Sequence, residues 1–536
     1  MWYHRGVTPR LRPEARRVSN ESIFTPTDTE QLRRHGIEPV EAVRHLEMIL
    51  GGTKGVKLVR PATVGDGIAV LEEGELARLC ALYEEALADG RAMKFVPASG
   101  AATRMFRGLY RLLDHDAGSG TVPDASLERV AALLTERLDE FAFYDDLVLA
   151  MTRHGANAEE CRRRGDAVTI ARYILSPDGL GYGGAPKGLV KFHRYADEAR
   201  TAFEEHLVET ALYVLDRCRR GRIHFTVNPA YLDRIEAHLR RRAHRMKEEE
   251  GVDLVIDLSI QNPSTDTVAA APDGSPARDG EGRLVLRPSG HGALLENLRT
   301  SGGEIVFIKN IDNVAPDRLK PVTTLYMRAL GGLLVEIERR VAALLERMEG
   351  KDGREAVRAA EEALSLCRET FGRTPGQVVE APEEEAIVRA ARKELERPIR
   401  VCGMVRNEGE PGGGPFWVAE PGGGVSLQIV EEAEVQMDDA EQAAIWRSGT
   451  HFNPVELVCS LRDRRGKPYE LAAFVNPERY IVTEKYQQGR PIRALERPGL
   501  WNGAMHHWNT LFVEVPPETF TPVKRFEDLL REEHKA

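Results

Sequence analysis

Five short segments of this 536-residue chain carry residue types suited to binding phosphate. The first, Lys94-Phe-Val-Pro-Ala-Ser-Gly-Ala-Ala-Thr-Arg-Met-Phe, predicts a strand, a turn of small residues and a helix start. Backbone N–H groups of Ala98, Ser99, Gly100, Ala101, Ala102 and Thr103 would face an anion there, with the helix dipole adding to the attraction. Arg104 would pair with phosphate oxygens. A plain tight turn is the more ordinary explanation of that segment alone. In Gly181-Tyr-Gly-Gly-Ala-Pro-Lys-Gly, a glycine-rich loop presents Lys187, which suits a mobile cationic clamp and equally a solvated surface loop. Arg287-Pro-Ser-Gly-His-Gly-Ala-Leu sets His291 between Gly290 and Gly292, where a backbone could approach a flat base or the histidine could cap a helix. Val306-Phe-Ile-Lys-Asn-Ile-Asp-Asn ends a buried strand with Asp312, placed for Mg²⁺ bridging phosphates or for an Asx-turn. Thr519-Phe-Thr-Pro-Val-Lys presents Lys524 behind a proline.

These segments need a scaffold, and the surrounding pattern predicts an α/β one. Helical periodicity runs over residues 30–50, 73–88, 230–250 and 330–348, with strands at 93–97, 223–227, 252–258, 304–309 and 399–405. Strand–helix–strand units of this length imply a mainly parallel sheet covered by helices. The boundaries expected are a helical region at 1–90, a nucleotide-binding α/β core at 91–315 with a helical insertion near 123–177, a helical insertion at 316–398, and the rest of the core at 399–536. Hydrophobic residues make up 42% and charged residues 29%, ordinary for a globular protein, and a net charge of −10 argues against a coat for nucleic acid. Arg240-Arg-Arg and Arg245 precede three glutamates and read as a solvated helix face. Six scattered cysteines form no C-x-x-C pair and imply reduced thiols in a cytoplasmic protein. The start Met1-Trp-Tyr-His-Arg-Gly has no apolar leader, and no run reaches a membrane span. His506-His507 lacks companions at zinc spacing. Trp501 and Trp508 are core anchors as readily as pocket walls, and Asn502 and Asn509 are alternative pocket groups.

Each segment is ambiguous, whereas their order is specific. Ser99-Gly-Ala-Ala-Thr-Arg, Pro186-Lys-Gly, Gln261, Pro288-Ser-Gly-His-Gly, Ile311-Asp-Asn, Val430-Glu-Glu-Ala-Glu and Pro522-Val-Lys follow one another along the chain. The series resembles that of the UDP-sugar pyrophosphorylase family, the UDP-N-acetylglucosamine enzymes in particular, seen through a distant bacterial branch. Ala102 and Ser99 depart from family glycines, and Glu432 replaces a family tyrosine. The Ala102 departure would keep a triphosphate farther from the backbone.

The resemblance implies a GT-A-like nucleotidyltransferase core that joins a nucleoside triphosphate, UTP by preference, to a sugar 1-phosphate with Mg²⁺. The base would be held by residues 98–103, Gln261 and Gly290-His291-Gly292. Arg104 would take the departing phosphates, Lys187 the α-phosphate, Asp312 the Mg²⁺ and Lys524 the sugar phosphate. Glu431 and Asn453 would meet sugar hydroxyls. No protein, membrane or nucleic-acid partner is implied. A GT-A glycosyltransferase shares the nucleotide site, but two lysines for a second phosphate would be redundant there. A nucleotide sensor without turnover is the reading that Ala102 and Ser99 favour.

Overall fold

Apolar runs become the strands of one central sheet. The computed structural model describes residues 23–116, 125–350, 353–373, 384–409 and 412–535. The leader reading at 1–6, the opening of the 123–177 insertion, the centre of the 350–353 turn and part of the 409–424 loop lie outside the described residues. In chain order the strands are β1 (Thr63–Val64), β2 (Gly67–Ala69), β3 (Ala92–Pro97), β4 (Arg220–Val227) and β5 (Asp253–Ile260). There follow β6 (Ile305–Lys309), β7 (Ile399–Arg406), β8 (His451–Phe452), β9 (Glu456–Ser460) and β10 (Asn509–Glu514). Across the sheet the order is β1-β2-β10-β7-β9-β6-β3-β4-β5, with β8 on the end of β7. Pairs are parallel except where β9 lies between β6 and β7 and where β8 meets β7. The α/β class with a mainly parallel sheet is thus as the sequence predicts.

Alternate side chains of each strand enter opposite cores. Ile305 and Phe307 pack with Tyr83, Leu330 and Val401, whereas Val306 and Ile308 pack with Phe95, Cys402 and Trp508. Burial on both faces explains why the strands read as unbroken apolar runs. The helix Lys320–Glu349 carries Leu330 and Leu334 onto the sheet, and Gly353–Glu369 and Glu384–Leu395 share its core. Helices Ala125–Glu136, Tyr144–Arg153, Ala158–Arg164 and Ala167–Leu175 occupy most of the expected 123–177 insertion.

Two local expectations change. The helical stretch at 30–50 is two helices, Pro26–His35 and Pro39–Gly51, because Gly36 at φ 80° closes the first and Pro39 opens the second. The Arg240–Arg245 face is not wholly solvated. Arg242 is buried and bonds Glu198 at 2.9 Å, so its stem packs while its head is neutralised.

Close contacts divide the chain into two units. The smaller comprises Met1–Thr53, Asn262–Ser289 and Ile481–Glu496, and includes the hairpin Ile481–Gln487/Arg490–Glu496. In it the Arg278 guanidinium beside Asp28 holds that carboxyl down at about 2. The larger comprises Lys54–Gln261, Gly290–Tyr480 and Arg497–Ala536, and contains the whole central sheet. Among the described residues no helix is long and apolar enough to cross a membrane.

Candidate functional site

From β3 the chain moves to β4 and β5 on one side, then returns to β6 on the other side of β3. The carboxyl ends of β3 and β6 therefore flank a reversal of strand order, the place where open α/β sheets take ligands. The loop after β3 is fixed at both ends. Ala98 N–H donates to Thr226 O at 2.9 Å and Ala102 N–H to Ala185 O at 3.0 Å. Ala102 is fully buried among core residues, so its methyl lies away from the open side of the loop. Ser99 is half-buried, and Gly100, Ala101, Thr103 and Arg104 are exposed. A short 3-10 turn, Ala102–Arg104, leads into the helix Arg107–Asp116.

Lys187 reaches the same place from the second segment. Its N–H donates to Gly100 O at 3.1 Å, and Ala101 and Pro186 form an isolated bridge. Two of its glycines pack closely. A Cβ on Gly188 would lie 2.4 Å from the Phe203 ring, and one on Gly183 would lie 2.5 Å from the Tyr110 hydroxyl. This packing makes the loop a seated element with Lys187 half-buried, unlike either the mobile clamp or the solvated surface loop that the sequence allowed. Lys187 Nζ then donates to Asp312 Oδ2 at 2.6 Å.

The segment that follows β6 is zipped to the one that bears Lys524. Val523 N–H donates to Asp312 O at 3.0 Å, Thr521 N–H to Asn313 Oδ1 at 3.0 Å and Thr521 Oγ1 to Val314 O at 2.9 Å. Arg104, Asp312, Lys524, Glu431 and Asn453 share the lining of one cavity of about 1140 Å³. Its far wall includes Phe416 stacked on Trp446, which the sequence reading passed over. Asn453 Oδ1 accepts the Val455 N–H at 3.0 Å, which leaves its amide nitrogen as the available group.

Residues 98–103, Lys187, Gln261 and the 290–292 turn are not on that lining. Gln261 follows β5, two strand spacings or roughly 10 Å from β3. His291 stacks on Trp501 with centroids 4.1 Å apart, and its Nδ1 accepts the Leu500 N–H at 2.9 Å. Nε2 is then the protonated nitrogen, 3.5 Å from Glu431 Oε1. Burial raises the Glu431 carboxyl, but His291 and Arg479 more than offset this and hold it below its usual range. Gly290 has φ 78°, and a Cβ on Gly292 would lie 2.0 Å from Pro498 O. Trp508 is fully buried, and Asn502 and Asn509 bond Glu434 and the Glu394 carbonyl.

Beneath the site lies a charged cluster that the sequence reading missed. Lys94 of β3 and Lys309 of β6 are wholly buried and bond the two oxygens of Glu209 at 2.6 and 3.0 Å. Lys309 also lies 3.3 Å from Glu456 of β9, its cross-strand partner. Glu456 accepts the Asn313 amide at 3.1 Å. Burial pushes Lys94 down to about 8, raises Glu456, and is outweighed at Lys309 by Glu209 and Glu456, which hold it up. His206, one helical turn before Glu209, meets Ile311 O at 3.2 Å and is kept neutral by burial. The signal was there: one lysine inside each of two apolar strands, and Glu205 and Glu209 at i, i+4 among apolar residues.

Among the described residues no group of three or more His, Cys, Asp or Glu is arranged to hold a metal. A cation that arrives with a nucleotide would need only one or two carboxylates from the protein, since Mg²⁺ completes its shell with phosphate and water, and the Asp312 carboxylate would meet that need.

Comparison with curated proteins finds no match. Among solved structures the chain is similar to the uridine diphosphate N-acetylglucosamine pyrophosphorylase of Trypanosoma brucei, in complex with an inhibitor. The TM-score is 0.46 at 12% identity, over 95% of this chain and 78% of that one. It is also similar to a mutant UDP-glucose pyrophosphorylase of Leishmania major in complex with UDP-glucose, with TM-score 0.43 at 12% identity over 95% and 80%. Likenesses at this level say nothing of the substrate of this chain. The family model described as a domain of unknown function, DUF4301, matches residues 25–535, and the chain belongs to that family.

Proposed function

We propose that the protein is a GT-A-type nucleotidyltransferase that joins a nucleoside triphosphate, UTP by preference, to a sugar 1-phosphate and releases pyrophosphate. The observation that carries the reading is the Lys187–Asp312 pair, 2.6 Å apart at the strand-order reversal, whose Asp312 lines a cavity that Arg104 and Lys524 share. The ordered motif series supports it. An oxygen of the sugar phosphate attacks the α-phosphorus in line, and the α–β bridging oxygen leaves with pyrophosphate. A phosphate dianion is already a usable nucleophile, so the protein needs no covalent intermediate. Its task is to bring polyanions together and neutralise the charge that develops.

Lys187 meets the α-phosphate, Arg104 the departing pair, and Lys524 the incoming sugar phosphate. Asp312 would hold Mg²⁺, which screens the phosphates and polarises the one under attack. Residues 98–103, Gln261 and 290–292 serve the nucleotide. Glu431, ionised beside His291, accepts from a sugar hydroxyl, and the Asn453 amide donates to one.

The test incubates the protein with Mg²⁺, each of four nucleoside triphosphates and a panel of sugar 1-phosphates, and follows pyrophosphate. Release should need both substrates. In Lys187→Ala or Asp312→Ala it should fall by roughly 10²–10³, the usual effect of removing one electrostatic contact to a transition state. Silence across the panel with UTP still bound would leave a sensor, and silence with no nucleotide bound would end the reading.

A further inference from the structure

Two charged holders on that cavity belong to chain segments far apart in sequence, joined by the bonds of Val523 and Thr521 to the Asp312 and Val314 carbonyls and by one buried side chain. Asn313 is 1% exposed. Its Oδ1 accepts the Thr521 N–H at 3.0 Å, and its Nδ2 donates to Glu456 Oε1 at 3.1 Å. Asp312 precedes it, and Lys524 lies three residues beyond Thr521. An amide is the group that serves here, because one atom must accept a backbone N–H while the other donates to a carboxylate. Behind Glu456 stand Lys309 and then Glu209, so the amide is braced against charges that are themselves paired and buried.

We infer that Asn313 is a positioning residue that couples the two halves of the site, so that an anion bound at Lys187 and Asp312 fixes Lys524 to receive a second phosphate. The inference rests on the reading above for the identity of the anions. Its geometric content is that the loop at 310–313 cannot move without moving 521–524. Coupling of this kind is reciprocal in binding free energy. The Asp312 and Val314 bonds remain without the amide, so removing it should spare the affinity for each anion alone and cut about tenfold the gain that one gives the other. A merely structural asparagine would lower stability and leave any such gain intact.

The experiment measures hydrogen exchange of the segment 519–526 with and without magnesium UTP or magnesium pyrophosphate. In the wild type either probe should slow this exchange. In Asn313→Leu the slowing should drop about tenfold, the effect of one hydrogen bond to a charged group, while slowing of the loop 98–104 persists. Asn313→Ala carries the same expectation should the leucine variant fold poorly. The exchange Asn313→Asp with Glu456→Gln keeps one carboxylate in the pair and reverses the bond between them. The carboxylate introduced by Asn313→Asp still accepts from Thr521, so coupling should return. Unaltered slowing in Asn313→Leu or Asn313→Ala, no slowing in the wild type, or no recovery in the double variant each overturns the inference. Coupling without pyrophosphate release would defeat the proposed reaction and keep the inference; release with uncoupled segments would do the reverse.

Discussion

Glu209 neutralises two lysines from neighbouring strands, in a place no water reaches. Taking out one member of such a cluster leaves an uncompensated charge, which costs about 3–5 kcal/mol in buried pairs. Glu209→Gln keeps the size and one acceptor yet leaves Lys94 and Lys309 facing each other. Stability read from urea unfolding should fall by that amount. A change within about 0.5 kcal/mol, typical of a surface site, would show that the cluster is not buried as described. Tyr213 also meets Glu209, at 3.4 Å, and gives the carboxylate a further donor. The residue scale also shows why this cluster escapes a sequence reading. Lysine in a strand ordinarily points to water; one set inside an apolar run hints at burial, but only the three-dimensional pairing names Glu209 as the partner of Lys94 and Lys309. Arg104, Lys187, Asp312 and Lys524 are easier to find, because each stands in a short turn at a strand or helix end, Lys187 between proline and glycine.

Elements bring those turns together, and two of them can be tested. Gly188 lets the lysine-bearing turn sit on Phe203. Gly188→Ala must push the ring or the turn away, and overpacking of this kind costs about 1–3 kcal/mol. Melting temperature should drop, and under the proposed reaction turnover should drop with it as Lys187 leaves Asp312. The carboxyl-terminal segment is seated at its far end by His534, whose Nδ1 lies 2.9 Å from His193 Nε2, while His193 Nδ1 meets Glu205 at 2.8 Å. Burial, and next His193, push the His534 imidazole down to about 3. An unfolded histidine titrates near ~6.5, so between these values the unfolded chain binds the extra proton. The stability that this seat contributes is whole above pH about 6.5 and is lost progressively as pH falls toward 3. Urea midpoints read from pH 7 to pH 4 should decline less steeply in His534→Asn than in the wild type; equal slopes would show that His534 titrates freely. None of this seating is legible from the sequence, since the two histidines stand hundreds of residues apart and carry no motif. The helices and strands are legible, because 3.6-residue and unbroken apolar patterns record which faces are buried. Residues 30–50 misled only where periodicity ran on through Gly36 and Pro39.

At the scale of the whole molecule, class and sheet type follow from alternation of strand and helix, but strand order does not. Nothing local says that β9 runs antiparallel between β6 and β7, or that β10 stands between β2 and β7. That order has a consequence in time. A ribosome extends a chain by about 5–20 residues per second and folding proceeds as it emerges. Asp312 therefore leaves the tunnel roughly 10–40 seconds before Lys524 does at such rates. Until then β1 and β2 have no neighbour in the sheet but each other, since β10 alone joins them to the rest, and β6 shows an open edge until β9 arrives. The nascent protein thus holds its earliest strands waiting on its latest, and an exposed edge of that kind is where a chaperone, or a second nascent chain, would meet it first.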